Sequence, residues 1–473
     1  MVFKMEDLLI MKFGGSCLID SRSFNQIIRI ISKYKERNKM ILVNSAINGI
    51  TNKLIEFYIK SCNEDSECSR IIEEIYTIHE QLIKRIIPSN KEEFQEAIEF
   101  LNNKIEDLKQ LGRVITLIRP SPDIQDLIIS YGETLSTFIL TQYLNSNQID
   151  SKFLQSNEII ITNDLFGNAI PLLEDTEPLI HDKLVPLLES KLDQIICITG
   201  FYGSTKDKKI STMGRGGSDL TAAILAYGLR NKFNSRVIYW KDVKGFLDAD
   251  PRIARKTSLI QQISYIEAKE LTFFGAKILH PLCLDINEKG NILSEIRSFR
   301  EPDSAEYTTI TKGIDKNGNT IKAITAIYKL SMVIVESDTM VPLPGTASKL
   351  FSLLGENNVN IVFITQSSSE NNITLGIDYE DSKKVSFLLR NSEFFGKQWF
   401  RIILNNEISL IAIIGAGILY TPGVAGKVFT TLGENNINIL AIAQGSSELS
   451  FTAIIERKNC ERAVNVLYDI FIG

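Results

Sequence analysis

TGFYGSTKDKKISTMGRGGSDLTAAILAYGL, residues 199–229, decides the fold because one kind of backbone turns into another within it. The run Ile195 to Phe201 that leads into it is β-branched and apolar, and reads as a strand. After a loop comes Gly214-Arg215-Gly216-Gly217-Ser218-Asp219. Beyond that, Leu220, Ala223, Ile224 and Tyr227 recur on one face of a helix that Ser218 or Asp219 is expected to cap. Three glycines around an arginine at a helix N-terminus bring free N–H groups, a positive dipole end and a guanidinium together. A carboxylate or phosphate suits that arrangement, although a Gly-rich turn with an exposed Arg would also account for these residues taken alone.

The same alternation extends outward. From Met1 to about Tyr307, the apolar runs MILVNS (40–45), IIITN (159–163), QIICITGF (194–201) and RVIYW (236–240) alternate with longer segments of helical period. This predicts an α/β domain with a largely parallel central sheet. The stretch from about residue 60 to 112 is charged, with Ile71, Ile75, Ile78 and Leu82 at helical spacing, and reads as a helical insertion on that domain.

A chain of 473 residues exceeds what one hydrophobic core usually supports, so two or three domains are expected. With 44% hydrophobic residues there is material for sizeable cores, yet no apolar run approaches the roughly 20 residues of a membrane span. The N-terminus places Glu6 and Asp7 before a short apolar run, unlike a signal peptide. Six cysteines without a CxxC pair, and only three histidines, predict neither a zinc site nor a disulfide framework, and a reducing cytoplasm fits best. A net charge of −5 without a basic stripe disfavours a nucleic-acid partner.

Two further segments carry chemistry. LLIMKFGGS is an apolar strand ending in Lys12, Phe13, Gly14, Gly15 and Ser16. Paired glycines let backbone amides approach phosphate oxygens, and the lysine supplies positive charge. Its spacing is not that of a Walker A loop, and a plain strand-to-helix turn would also explain it. VIYWKDVKGFLDADPR carries Asp242 at a strand end and then Asp250-Pro251-Arg252, while SYIEAKELTFFGAKILHP brings Lys277 after Gly275. Charged groups at the carboxyl ends of parallel strands lie where open α/β sheets bind ligands.

After about Asn317 the chain repeats itself. PGTASKLFSLLGENNVNIVFITQSSSENNITLGI from Pro344 aligns without gaps on PGVAGKVFTTLGENNINILAIAQGSSELSFTAII from Pro422. Each copy predicts a loop, a helix ending at a capping Gly355 or Gly433, and two strands separated by Ser-Ser-Glu.

Together these blocks resemble the aspartate kinases of the amino-acid kinase family along almost the whole chain. The resemblance rests on KFGGS (Lys12), SAINGITN (Ser45), SYGETLS (Ser130), TNDLFG (Thr162), TGFYGS (Thr199), GRGGSDLTAA (Gly214), WKDVKGF (Trp240), DPR (Asp250) and SYIEAKELTFFGAKILHP (Ser264). The repeats resemble ACT domains, which bind amino acids. This implies a carbamate kinase-like sandwich over residues 1–312, with the helical insertion at about 60–112, and a regulatory region over 321–473. The regulatory region divides into α+β modules at about 331–400 and 405–473, the second with a possible strand from 321–329.

The implied reaction is ATP plus L-aspartate giving ADP and 4-phospho-L-aspartate, with Mg2+ on the nucleotide, at the head of lysine, threonine and methionine synthesis. By the same resemblance, Lys12, Gly14, Gly15 and Asp219 serve the transfer. Thr51, Glu133, Phe201, Arg215 and Ser218 hold aspartate, and Lys12, Lys241, Asp242, Arg252 and Lys277 hold ATP. No resident metal ligands are implied. The sequence departs from the family pattern at Cys17, at Thr134 where Arg is frequent, at Lys241 where Thr is common, and at Leu247 where Tyr is often found.

A fused homoserine dehydrogenase is not expected, since the sequence stops at Gly473 just after the second repeat. The competing reading from another class is a non-catalytic amino-acid sensor. Gln366 with Ser368, and Gln444 with Ser446, are the expected effector residues. Their Gln-Ser/Gly-Ser-Ser-Glu pattern resembles threonine-responsive more than lysine-responsive members. A homodimer or homotetramer through the repeats is the implied assembly.

Overall fold

Strand β1 (Asp7–Phe13) is buried from Leu8 onward, because its sequence is apolar on both faces and a parallel strand is covered on both. The computed structural model describes residues 6–63, 67–117, 120–191, 193–276, 278–313, 320–337, 345–366, 372–397, 399–443 and 449–473. The chain divides into two compact units. The first comprises residues up to 246 with 261–265 and 278–313; the second comprises 247–260, 266–277 and 314–473.

In the first unit the remaining strands are β2 (Lys39–Asn44), β3 (Ser151–Leu154), β4 (Ile195–Thr199), β5 (Tyr202–Ser204), β6 (Ile210–Thr212), β7 (Asn234–Lys241), β8 (Gln262–Ser264), β9 (Leu293–Ser298) and β10 (Thr308–Thr311). Seven of them join β1 in one sheet in the order β3-β4-β2-β1-β7-β9-β10-β8, parallel throughout except between β9 and β10. β5 and β6 form a separate hairpin. The helices up to residue 290 are α1 (Ser21–Tyr34), α2 (Ile50–Cys62), α3 (Cys68–Ile86), α4 (Glu92–Leu117), α5 (Pro122–Ser146), α6 (Leu173–Ser190), α7 (Gly217–Leu229), α8 (Tyr265–Phe273) and α9 (Pro281–Gly290), α8 lying mostly in the second unit.

Alternation along β1 sends Leu9, Met11 and Phe13 into one core with Phe24, Leu54, Phe57, Ile75, Leu108 and Leu140, so helices α2–α4, the last two of which fall in the expected insertion, are packed onto the sheet domain. Each such side chain contributes about 1.5–3 kcal/mol when fully buried. The insertion runs past the expected end near residue 112. Gly112 lies inside α4, where a β-carbon would come within 2.7 Å of Phe57, so this glycine serves a close helix contact and not a helix end.

The opposite face of β1 carries Lys12 toward α7. Helix α7 is buried at every residue, not along one stripe, because it packs on β1 and β7 and is flanked by α6 and α9. Its N-cap is Gly216, at φ +80°, so Ser218 and Asp219 do not cap it; they occupy its first turn and their side chains are free for other partners. Chain order reverses at β1, which pairs with β2 on one side and β7 on the other. The carboxyl ends of β1 and β7 therefore flank the crevice in which open α/β sheets bind ligands.

The second unit is built on β11 (Ala323–Ser337), α10 (Thr346–Glu356), β12 (Ile361–Gln366), β13 (Asn372–Asp378), α11 (Ser382–Asn391), β14 (Phe400–Ile414), α12 (Val424–Glu434), β15 (Ile439–Ala443), β16 (Ser450–Glu456) and α13 (Cys460–Phe471). One antiparallel sheet runs β12-β13-β11-β14-β16-β15. The two long strands are shared. The first half of β11, Ala323–Ile327, pairs with the end of β14, while its second half pairs with the start of β14 and with β13. Each copy thus gains a first strand and a last helix beyond the loop-helix-strand-strand pattern predicted.

Gly355 and Gly433 lie in the last turn of their helices and do not cap them. Asn358 and Asn436, both at φ +52°, take the left-handed position that ends each helix, which asparagine tolerates well. The segment 247–260 joins this unit through a bridge between Ala249 and Ile324. Ala249 and Ala254 are buried in the core of the second copy with Leu467 and Tyr468. Among the described residues, no helix is long and apolar enough to cross a membrane.

Candidate active site

Lys12 ends the buried face of β1, and its Nζ lies 2.7 Å from Oδ1 of Asp219 in the first turn of α7. The other Asp219 oxygen receives the Nζ of Lys241, at the end of β7, at 2.6 Å. Side-chain exposures of 6%, 3% and 16% for Lys12, Asp219 and Lys241 put this triad out of bulk water. Burial lowers the Lys12 pKa from the usual lysine value and Lys241 adds to the effect, while Asp219 opposes it. Burial alone would raise the Asp219 pKa, but the two lysines together hold it below the usual carboxylate value. Two ammonium groups on one carboxylate leave surplus positive charge at the mouth of the crevice, which suits an incoming anion.

The glycines behind Lys12 keep this cation accessible. A β-carbon on Gly14 would approach Lys12 Nζ to 3.2 Å, and one on Gly15 would meet the Ala46 carbonyl at 3.4 Å. Across α7, Ser218 shares a 2.9 Å hydrogen bond with Ser45, and Gly200 is pressed so closely on Ser218 that a β-carbon there would lie 2.6 Å from its Cβ. Phe201 is held at φ +79°. Its N–H donates to Thr221 Oγ1 at 3.1 Å, and its ring covers Gly217.

Glu133, on α5, is 3% exposed. Its Oε1 accepts the Ala46 N–H at 3.1 Å, and its Oε2 is buried with no partner among the described residues. Burial pushes its pKa up to about 8, with donation from Ala46 and the charge of Lys12 pulling the other way. A buried carboxyl with one free oxygen is a receptor for a cation such as an ammonium group. Thr134, beside it, shares a 2.9 Å hydrogen bond with the Tyr202 hydroxyl in the hydrophobic interior, a position where a long charged side chain would lack water.

Thr51 is half-buried in the first turn of α2, Arg215 is exposed just before α7, and Asp242 is exposed one residue beyond β7. Arg252 belongs to the second unit, where its guanidinium pairs with Asp250 at 2.7 Å and its side chain is 83% exposed. Leu247 forms an isolated bridge with Leu259 in that unit. Gln366 is exposed at the end of β12, an edge strand. Lys277, Ser368, Gln444 and Ser446 lie outside the described residues.

Sequence reasoning gave no role to two residues that the fold brings here, Ser45 and His280. His280 precedes Pro281 as the N-cap of α9, its Nδ1 accepting the Leu282 N–H at 3.2 Å, and its ring lies against Gly216. A histidine directly before a helix-starting proline was the signal available for it.

Comparison with known proteins gives the chain's family. Residues 7–298 match the model of the amino acid kinase family, and residues 333–391 and 411–471 each match the ACT domain model. The chain spans about half the length of the bifunctional relatives it matches. One is the chloroplastic bifunctional aspartokinase/homoserine dehydrogenase 1 of Arabidopsis thaliana, 28% identical over 471 residues covering 97% of this chain and 50% of that protein. Lysine-sensitive aspartokinase 3 of Escherichia coli is 28% identical over 465 residues, covering 98% of this chain and 99% of that protein. The crystal structure of E. coli aspartokinase III in complex with aspartate and ADP superposes with a TM-score of 0.79 at 26% identity, covering 99% of this chain and all of that one.

Proposed function

Because this chain belongs to the amino acid kinase family, we propose that it is an aspartate kinase, transferring the γ-phosphoryl group of ATP to the side-chain carboxylate of L-aspartate. The observation that carries this reading is the buried Lys12–Asp219–Lys241 triad at the strand reversal, together with the buried Glu133 Oε2 on α5, which has no partner among the described residues. A substrate that is cationic at one end and anionic at two others fits that division of charge.

In this reading an aspartate side-chain oxygen forms a bond to the γ-phosphorus as the bond to the β,γ-bridging oxygen breaks. ADP leaves with the electron pair, and no proton has to move. Lys12, Lys241 and the Gly14 and Gly15 amides meet the charge spread over the phosphoryl oxygens, and Asp219 holds both lysines in place. Glu133 receives the substrate ammonium, Arg215 pairs with a carboxylate, and Thr51, Phe201 and Ser218 complete the aspartate side. A covalent enzyme intermediate is unnecessary. Ser218 is hydrogen-bonded to another serine, and burial raises the Cys17 thiol above its usual pKa.

ATP brings Mg2+ on its phosphates, where the ion neutralises charge; the exposed Asp242 carboxylate, next to Lys241, is the donor suited to hold it. Arg252 and Lys277 are assigned to the nucleotide by resemblance. Residues 1–312 would form the catalytic region, except that 247–260 and 266–277 fold with the second unit, and 321–473 the regulatory one, in a cytoplasmic homodimer or homotetramer.

The two ACT modules are proposed to bind an amino-acid effector, with Gln366, Ser368, Gln444 and Ser446 as its contacts and threonine as the effector. Lysine is the second reading, favoured by the lysine-sensitive E. coli relative. ADP release coupled to NADH oxidation, with and without aspartate, tests the activity; release independent of aspartate would end the proposal. Adding threonine or lysine separates the effectors, and threonine inhibition should be relieved by Gln366→Ala while the uninhibited rate persists.

A further inference from the structure

His280 lies beside the triad, and its ring has one nitrogen occupied and one open. Nδ1 accepts the Leu282 N–H, so the neutral imidazole carries its proton on Nε2, which has no hydrogen-bond partner among the described residues. The ring is seated against the N-terminus of α7: a β-carbon on Gly216 would come within 2.9 Å of His280 Cβ and 3.4 Å of Cδ2, the atom bonded to Nε2. Gly216 also needs its positive φ of +80°, so two independent constraints keep that position without a side chain and leave the imidazole room. The negative charge of Asp219 acts on the ring, while half-burial favours its neutral form.

The sheet places His280 relative to the two sides of the strand reversal. Helix α9, which His280 caps, is tied to β7 by Tyr239, whose hydroxyl contacts Cys283 Sγ at 2.9 Å and accepts from Asn287 Nδ2 at 2.9 Å. It therefore stands on the β7 side of the reversal, with Lys241. Glu133, Ala46 and Ser45 stand on the β2 side.

We propose that His280 is a phosphate-binding residue whose Nε2–H donates to a phosphoryl oxygen of the nucleotide beside Lys241 and the α7 N-terminus. This rests on the aspartate kinase reading for the identity of the reaction. It does not rest on that reading for nucleotide binding itself, which ADP alone reports.

Two conservative variants of the full chain separate the donor from the helix cap. His280→Asn places an amide oxygen where Nδ1 was, keeping the cap, but has nothing at the Nε2 position. His280→Gln does the reverse. For His280→Asn, an unchanged melting temperature, a fall of about tenfold or more in kcat/KM for ATP, and a KM for aspartate within a factor of about two are expected from loss of a hydrogen bond to a charged group. Calorimetric titration with ADP should show a matching loss of affinity. His280→Gln should melt lower but keep most of its ADP affinity.

Wild-type nucleotide kinetics and ADP affinity in His280→Asn would overturn the proposal. So would a loss confined to aspartate, or equal losses of melting temperature and ADP affinity in both variants, which would mark His280 as a cap alone. If the wild-type chain binds ADP but forms none in the presence of aspartate, the reaction assigned above fails, and the ADP titrations still decide the role of His280.

Discussion

If Glu133 receives the ammonium group of aspartate, as proposed, its burial makes that binding depend on pH in a fixed direction. With a pKa near 8 in the ligand-free site, its carboxyl is mostly protonated at neutral pH, yet it can receive an ammonium group only when ionised. On that assignment, aspartate binding at pH 7 and below should release close to one proton, and about half a proton at pH 8. Simple linkage makes the apparent dissociation constant grow as one plus ten to the power of pKa minus pH. Between pH 8 and pH 6.5 it should rise roughly fifteenfold.

Calorimetry of aspartate binding in two buffers of different ionisation enthalpy measures the proton directly, and Glu133→Gln should bind weakly with no such release. The same shift has a consequence for the ligand-free fold. Because the folded pKa lies above the ordinary value of 4.5, the contribution of this group to stability is fully present below pH 4.5 and is lost as pH rises toward 8. Glu133→Gln should therefore gain stability relative to wild type across that window, by up to about 4 kcal/mol. Buffer-independent enthalpies together with a dissociation constant flat from pH 6.5 to 8 would refute the reasoning.

Other sites give further expectations. In the proposed mechanism Lys12→Ala removes a major stabiliser of the transferring group and should lower kcat by on the order of a hundredfold or more; an unchanged kcat would remove Lys12 from the mechanism. Arg215→Ala should raise KM for aspartate about tenfold or more while KM for ATP stays within a few-fold, and the opposite pattern in initial-rate kinetics would reverse the assignment of the two substrates. Tyr468→Phe deletes the hydroxyl that donates to buried Asp248 Oδ2 at 3.0 Å. It should cost about 1–2 kcal/mol in urea unfolding of the second unit, and an unmoved midpoint would mean that this bond carries no stability.

The parallel sheet, the insertion and the doubled module were legible because each leaves a periodic trace: β-branched runs, helical spacing and a gapless self-alignment. What escaped were features set by tertiary packing. Helix α7 looks one-sided on a wheel, but it is covered all round, since small residues such as Ala222 and Ala226 let neighbours close over the other faces. Gly355 and Gly433 looked like caps because glycine commonly is one; the asparagines three residues later satisfy the same backbone need. In the site, Lys12 and Asp219 could be named from motifs, and Lys241 stood out as a departure. Their closure into one ion-paired cluster joins residues more than two hundred positions apart, which no local pattern encodes. His280 was hidden for a simpler reason, as its cap role explains the residue until the space beside Gly216 is seen.

The segment 247–260, which carries Asp250 and Arg252, sits in sequence among the strands of the kinase sheet but folds as part of the second unit. On a ribosome it emerges long before α13, so Ala249, Ala254 and Asp248 wait until Leu467 and Tyr468 are made. Exchanging everything after residue 313 for the tail of a relative would consequently cut through a core. A successful chimera has to carry residues 247–260 and 266–277 along with the new tail, so the ACT modules and the short segments that fold with them should be inherited together.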